Sequence, residues 1–231
     1  MTKDELRELL EDELLWRTEE INFFKRQLTN LDQENEKNRY RKSMVLILYS
    51  HLEGFIKSAL INYAQYLSSL GKNREEFDFT LVATSMDAEF KAYDNKNSKS
   101  PLFNNKKVPS DSTIHGLYRR VNLLESSSNL LSQPLVINDN AVDTESNLWY
   151  VVLQKNLYKL GLPVDMFQDY KIDIDSLVNR RNTIAHGSRS EGVTESEYQK
   201  WEESIKNVME SIVRKIYFFA NNEKYLRAAN E

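Results

Sequence analysis

Three histidines occur in the 231 residues. One of them, His186, stands five residues after Arg181, in the stretch Asn179-Arg180-Arg181-Asn182-Thr183-Ile184-Ala185-His186-Gly187. An imidazole moves protons near neutral pH, and a guanidinium forks onto phosphate oxygens. Held close together, the two can carry out phosphodiester chemistry without a metal. On a regular helix, residues four apart are neighbours and residues five apart lie about 140° round. Asn182 therefore shares a face with His186, while Arg181 does not sit directly beneath it. Arg181 and His186 can converge at a helix end, or through a second copy of the helix facing the first. Gly187 places His186 at a helix C-terminus, where the dipole favours imidazolium and Arg180 and Arg181 oppose it. A plainer reading is that His186 caps its own helix and Arg181 pairs with a surface acid. A bare Arg-x4-His arises by chance in ordinary compositions; the fuller Arg-Asn-x-x-Ala-His-Gly is far more specific.

A second segment with chemical content is Tyr49-Ser50-His51-Leu52-Glu53-Gly54-Phe55-Ile56-Lys57. Glu53 and Lys57 are four apart and can pair along a helix, or Glu53 can serve the Arg–His site. Gly54 inside a helix is unfavourable by about 1 kcal/mol relative to Ala, which points to close approach by another backbone or side chain. His51 reads as a helix-face residue, and His115 has no ligand partner near it in sequence. With three scattered histidines and no cysteine, a zinc site is not expected.

Long helices must carry these segments. Residues 3–31 place Leu6, Leu9, Leu10, Leu14, Ile21, Phe24, Leu28 and Leu31 at three-, four- or seven-residue intervals, predicting an amphipathic helix. A second helix is predicted over about 38–70. Its middle, Met44 to Tyr49, is apolar all round, and Gly71 follows as a C-cap. Residues 72–135 are less regular. Phe79–Tyr93 predicts a short helix, Asp94–Ser112 a loop carrying Lys96, Lys99, Lys106 and Lys107, Thr113–Leu124 another short helix, and Glu125–Gln133 a polar linker. The lysine segment reads as a solvated loop, or as a guide for RNA. Thr144-Glu145-Ser146-Asn147 is expected to open a third long helix that Gly161 and Pro163 end. A short helix from near Asp173 or Asp175 ends at His186-Gly187. The last helix starts with a capping box, Thr194 and Glu197, and carries an apolar stripe from Trp201 to Phe219 that reads as core or dimer interface.

These elements predict an all-α, antiparallel helical bundle forming a single domain over 1–231, with an insertion at about 72–135. Six glycines and four prolines leave room for long helices. The lack of cysteine removes disulfides and thiolate metal sites, and suits a reducing cytoplasm. No signal peptide is visible, and no apolar stretch approaches about 20 residues, so no membrane span is expected. A net charge of −4 argues against a general polyanion binder, yet a site for one phosphate needs only local positive charge. No Rossmann or P-loop glycine pattern occurs.

Arg181-Asn182-Thr183-Ile184-Ala185-His186 resembles the R-x4-6-H motif of the HEPN superfamily. Tyr49 to Lys57 resembles the Y-x-x-x-E-G-x-x-K helix of its MAE-like branch, related to the RiboL-PSP HEPN proteins. The resemblance covers the helices over 38–70 and 144–220 and says little about 72–135. It implies a helical bundle that dimerises so that two motifs face each other across one cleft. Many such proteins are metal-independent endoribonucleases of toxin–antitoxin and anti-phage systems, in which the ribose 2'-OH attacks the adjacent phosphate. On that likeness His186 moves a proton, Arg181 stabilises phosphorane charge, and Asn182 orients His186 or the phosphate. Glu53 holds Arg181 or His186, and Arg180 and Lys57 contact substrate. No metal and no cofactor is implied. The implied partners are RNA, further copies of the chain in a homodimer or higher oligomer, and an antitoxin or defence-complex protein. Two other readings stand beside this one: a non-catalytic module that holds nucleotide or RNA ends, and a helical interaction subunit.

Overall fold

The computed structural model describes residues 1–103, 113–187 and 191–227. Among them are eight α-helices and no strand: α1 (Lys3–Gln27), α2 (Glu34–Ser69), α3 (Phe79–Ser85), α4 (Asp87–Asp94), α5 (Thr113–Leu131), α6 (Tyr150–Lys159), α7 (Lys171–Ala185) and α8 (Glu195–Asn221). The all-α reading holds.

α2 is the axis of the fold, and α1, α7 and α8 pack around it. A 36-residue helix is roughly 54 Å long. Its buried residues include Val45, Leu48, Tyr49, Leu52, Phe55, Ile56, Leu60 and Tyr63, so it is apolar on several faces. Over 18 residues its mean hydropathy reaches 1.4, enough by length and composition to cross a membrane. That differs from the sequence expectation, which looked only for unbroken apolar runs. Here the apolar surface is covered by neighbouring helices, as in the core helix of a bundle. Gly71 ends the helix region with φ +64°, a left-handed conformation that suits glycine.

Two glycines admit close neighbours. Gly54 faces the Arg17 guanidinium of α1, whose Nη2 would lie 3.3 Å from an added Cβ. Gly192 lies against the first turns of α2, where a Cβ would come 2.6 Å from the Asn38 Cβ and 3.0 Å from its backbone carbonyl carbon and oxygen. Next to it the Val193 N–H donates to the Asn38 carbonyl at 2.9 Å. The entry into α8 is thereby fastened to α2, and Thr194 and Glu197 form the capping box the sequence predicts.

The excursion from α2 closes at its base. The Arg74 N–H donates to the Gln133 carbonyl and the Leu135 N–H to the Lys72 carbonyl, both at 2.9 Å. The buried Arg74 side chain then reaches the Ser85 hydroxyl and carbonyl and the Leu130 carbonyl. Phe79 to Tyr93 makes two helices, α3 and α4, rather than one. The stretch expected as a linker after Leu124 continues α5 to Leu131. Ser126 and Ser127 donate their hydroxyls to carbonyls three or four residues back within the helix, and Ser132, just past its end, does the same to Ser128. Lys106 and Lys107 of the basic segment lie outside the described residues.

The third long helix is the largest departure. It is only ten residues, and Thr144 does not open it. Residues 143–149 instead form a turn in which Glu145 and Ser146 take φ of 50° and 65°.

Candidate active site

α7 is placed from three sides. Ile174, Leu177 and Val178 are buried, toward α2 and α8, the helices it packs on. From α8, the Trp201 Nε1–H donates to the Ser176 hydroxyl at 2.7 Å and the Ser204 hydroxyl donates to Asp173 at 2.6 Å. From α6, the Tyr150 N–H donates to Asp175 at 2.8 Å. Positions 174, 177, 178 and 181 form one stripe at helical spacing, so Arg181 occupies the next place on the core-facing side.

What meets Arg181 there is polar. Its guanidinium carbon lies 4.4 Å from the centre of the Tyr49 ring of α2. Nη1 donates to Asn182 Oδ1 at 2.8 Å and to Asn147 Oδ1 at 3.1 Å. Nη2 faces the Glu53 carboxylate at 3.9 Å, with both side chains half-buried. Tyr49 and Glu53 are four apart on α2 and so share a face. The Tyr49 hydroxyl accepts the Leu148 N–H at 2.8 Å. Burial pushes this phenol up to about 12, the Leu148 N–H opposes that, and the neighbouring Glu53 carboxylate adds to it. Near neutrality Tyr49 is therefore a fixed donor and acceptor rather than a proton shuttle.

His186 is the residue that ends α7. Its N–H donates to the Asn182 carbonyl at 3.0 Å, and Gly187 follows with φ +66°. The imidazole is exposed and makes no hydrogen bond or ion pair among the described residues. By helical spacing, a residue five positions on from Arg181 stands off the core-facing stripe. Asn182 links the two, with its side chain on Arg181 and its carbonyl on the His186 backbone.

The structure thus brings Arg181, Asn182 and Glu53 together and leaves His186 beside them on the outer surface. Arg180 turns the other way: Nη2 donates to the Gly192 carbonyl at 2.6 Å, and Nε is buried without a partner among the described residues. Lys57 is exposed and makes no ion pair with Glu53, whose carboxylate faces Arg181 instead. The other two histidines lie elsewhere. His115 Nδ1 accepts the Ser100 N–H at 3.2 Å inside the insertion. His51 packs edge-on against Trp16 and lies 3.2 Å from Glu20.

Two members of the cluster were not picked out by sequence reasoning. Tyr49 had a usable signal, since it precedes Glu53 by one helical turn within the quoted motif. Asn147 had none, because its neighbourhood reads as a helix start.

With this geometry in hand, comparison with known families matches residues 12–217 to the RiboL-PSP-HEPN family. The chain belongs to that family. No curated protein and no solved structure matches it. HEPN membership points to a nuclease or RNA-related function. The match spans the insertion as well as the bundle, so 72–135 falls within the family's own span.

Proposed function

We propose that this HEPN protein is a metal-independent endoribonuclease whose active site is completed by a second copy of the chain. One observation carries the reading. Arg181 is held by Nη1, while its Nε–Nη2 edge makes no hydrogen bond among the described residues and faces the Glu53 carboxylate at 3.9 Å. That edge is the one a phosphate takes through two parallel donors. The exposed His186 lies at the end of the same helix, free to meet a ribose or a leaving oxygen.

In the reaction, the ribose 2'-oxygen attacks phosphorus as an imidazole takes its proton. The bond from phosphorus to the 5'-oxygen breaks, and an imidazolium protonates that oxygen. The products are a 2',3'-cyclic phosphate and a 5'-OH. Arg181 stabilises the negative charge that builds on the non-bridging oxygens. One chain offers one exposed histidine at the site, and a second copy would supply the other, so that one acts as base and one as acid. A role in cytoplasmic anti-phage or toxin–antitoxin defence, restrained by a partner protein and away from membranes, belongs to the same proposal.

The test is cleavage of total RNA and tRNA in EDTA, with wild type beside Arg181→Ala and His186→Ala, followed by mapping of the RNA ends. Loss of a general acid–base group is expected to slow cleavage by about 10²–10⁴-fold. Cleavage by wild type alone, leaving 2',3'-cyclic phosphates, supports the proposal. Full activity in His186→Ala sinks the residue assignment. A folded dimer that binds RNA without cutting it would favour the non-catalytic binding module.

A further inference from the structure

We infer that Asn147 is a positioning residue, which acts by holding Arg181 in the orientation that receives phosphate. This rests on the ribonuclease reading for its chemical purpose, but the hold itself is a matter of geometry. Nη1 of Arg181 has two acceptors. Asn182 is its neighbour on α7 and moves with that helix, so it cannot fix Arg181 relative to the rest of the protein. Asn147 comes from a different segment and can.

The turn that presents Asn147 is built at a conformational cost. Glu145 and Ser146 are consecutive left-handed residues, and neither is glycine. An L side chain disfavours that conformation, and such residues persist only where the surroundings over-determine them. Here they do. The Glu145 N–H donates to the Asp143 carboxylate at 2.8 Å, and the Asn147 N–H donates to the Thr144 carbonyl at 3.0 Å. Asn156 of α6 clasps the Asp143 backbone from both sides, accepting its N–H at 2.9 Å and donating to its carbonyl at 2.8 Å. Glu145 forms an ion pair with Lys155. One residue on, the Leu148 N–H anchors to the Tyr49 hydroxyl. The same turn therefore sets both the ring beneath Arg181 and the amide beside it.

The choice of an amide has a consequence. A neutral oxygen holds the guanidinium without adding a second negative charge to that of Glu53, which faces Nη2 at 3.9 Å. A carboxylate at 147 would keep the hydrogen bond and weaken the attraction for an anion.

Two readouts separate positioning from mere folding. Arginine-selective 15N NMR follows the Arg181 Nη protons, whose exchange and rotation slow when they are hydrogen-bonded. Asn147→Ala is expected to release them, and Asn147→Asp to retain them. In cleavage, Asn147→Ala is expected to lower kcat about tenfold, as for loss of one hydrogen bond, with KM within about threefold of wild type. Asn147→Asp is expected to keep kcat and raise KM. If Asn147→Ala leaves both the Nη signals and kcat unchanged, the inference is overturned. If Asn147→Ala does not fold, Asn147→Asp decides: retained kcat with raised KM supports the inference, and a tenfold fall in kcat at unchanged KM overturns it. A wild type that cleaves no RNA defeats the ribonuclease proposal, while the Nη signals still test the hold on Arg181.

Discussion

Replacing Tyr49 by phenylalanine deletes one oxygen from a side chain that is 1% exposed, and leaves the ring under Arg181 in place. The deleted oxygen accepts the buried Leu148 N–H at 2.8 Å. Buried with Leu148 at 0% exposure, that N–H is left unpaired, at a cost of about 1–3 kcal/mol. For a chain of this length, 2 kcal/mol lowers Tm by roughly 4–8 °C. The pH dependence sharpens the expectation. The phenol is held protonated up to about 12 in the fold, against about 10 in an unfolded chain. A raised value means that the stabilisation is complete below about pH 10 and drains away as pH rises toward the folded value. Tyr49→Phe cannot lose what it lacks, so the gap between variant and wild type should narrow from pH 10 to 12. Urea titrations at pH 8 and at pH 11, with unchanged m-values, make the comparison. A Tyr49→Phe protein as stable as wild type at pH 8 would show that the Leu148 contact contributes nothing, and would refute the reasoning.

Other perturbations test the frame around the site. Gly192→Ala forces a Cβ to 2.6 Å from the Asn38 Cβ and 3.0 Å from its backbone, and should destabilise by about 1–3 kcal/mol. Gly116→Ala, in the first turn of α5 with nothing within 4 Å among the described residues, should instead stabilise by up to about 1 kcal/mol. Thermal melts of the two should move in opposite directions, and parallel shifts would contradict the packing argument. Burial lowers the His51 imidazole below its ordinary value; Glu20 pulls the other way, and Arg17 adds to the lowering. The unfolded chain then binds the proton first, so stability should fall as pH drops through about 6.5. His51→Gln should flatten that slope between pH 7 and 5.5, and an unchanged slope would assign it to other groups.

Much of the architecture was legible from spacing. The apolar middle of α2, Gly71, the Thr194–Glu197 box and the stop at His186-Gly187 depend on neighbours within a few residues, and each appears where the pattern placed it, whereas α1 ends at Gln27, short of Leu28 and Leu31, and leaves Leu9 of its stripe exposed. Local pattern failed where distant partners decide. Glu125 to Gln133 looked like linker because serine is a weak helix former, yet α5 runs on to Leu131 with the Ser126 and Ser127 hydroxyls bonded to preceding carbonyls. Thr144 to Asn147 looked like a helix start. Contacts with Asn156, Lys155 and Tyr49 hold it instead as a left-handed turn, and those residues lie 10 to 99 positions away.

The candidate site divides along the same line. By itself the sequence determined that Arg181, Asn182 and His186 share one helix and that Glu53 shares another, because periodicity and end signals are properties of adjacent residues. Its motifs likewise pointed to the family the chain belongs to. Only the tertiary structure decided that Glu53 faces Arg181 rather than Lys57, that Arg180 turns to Gly192, and that Tyr49 and Asn147 complete the grip. Those choices depend on how α2, α7 and the 143–149 turn pack, and packing joins residues whose separation along the chain carries no periodic trace.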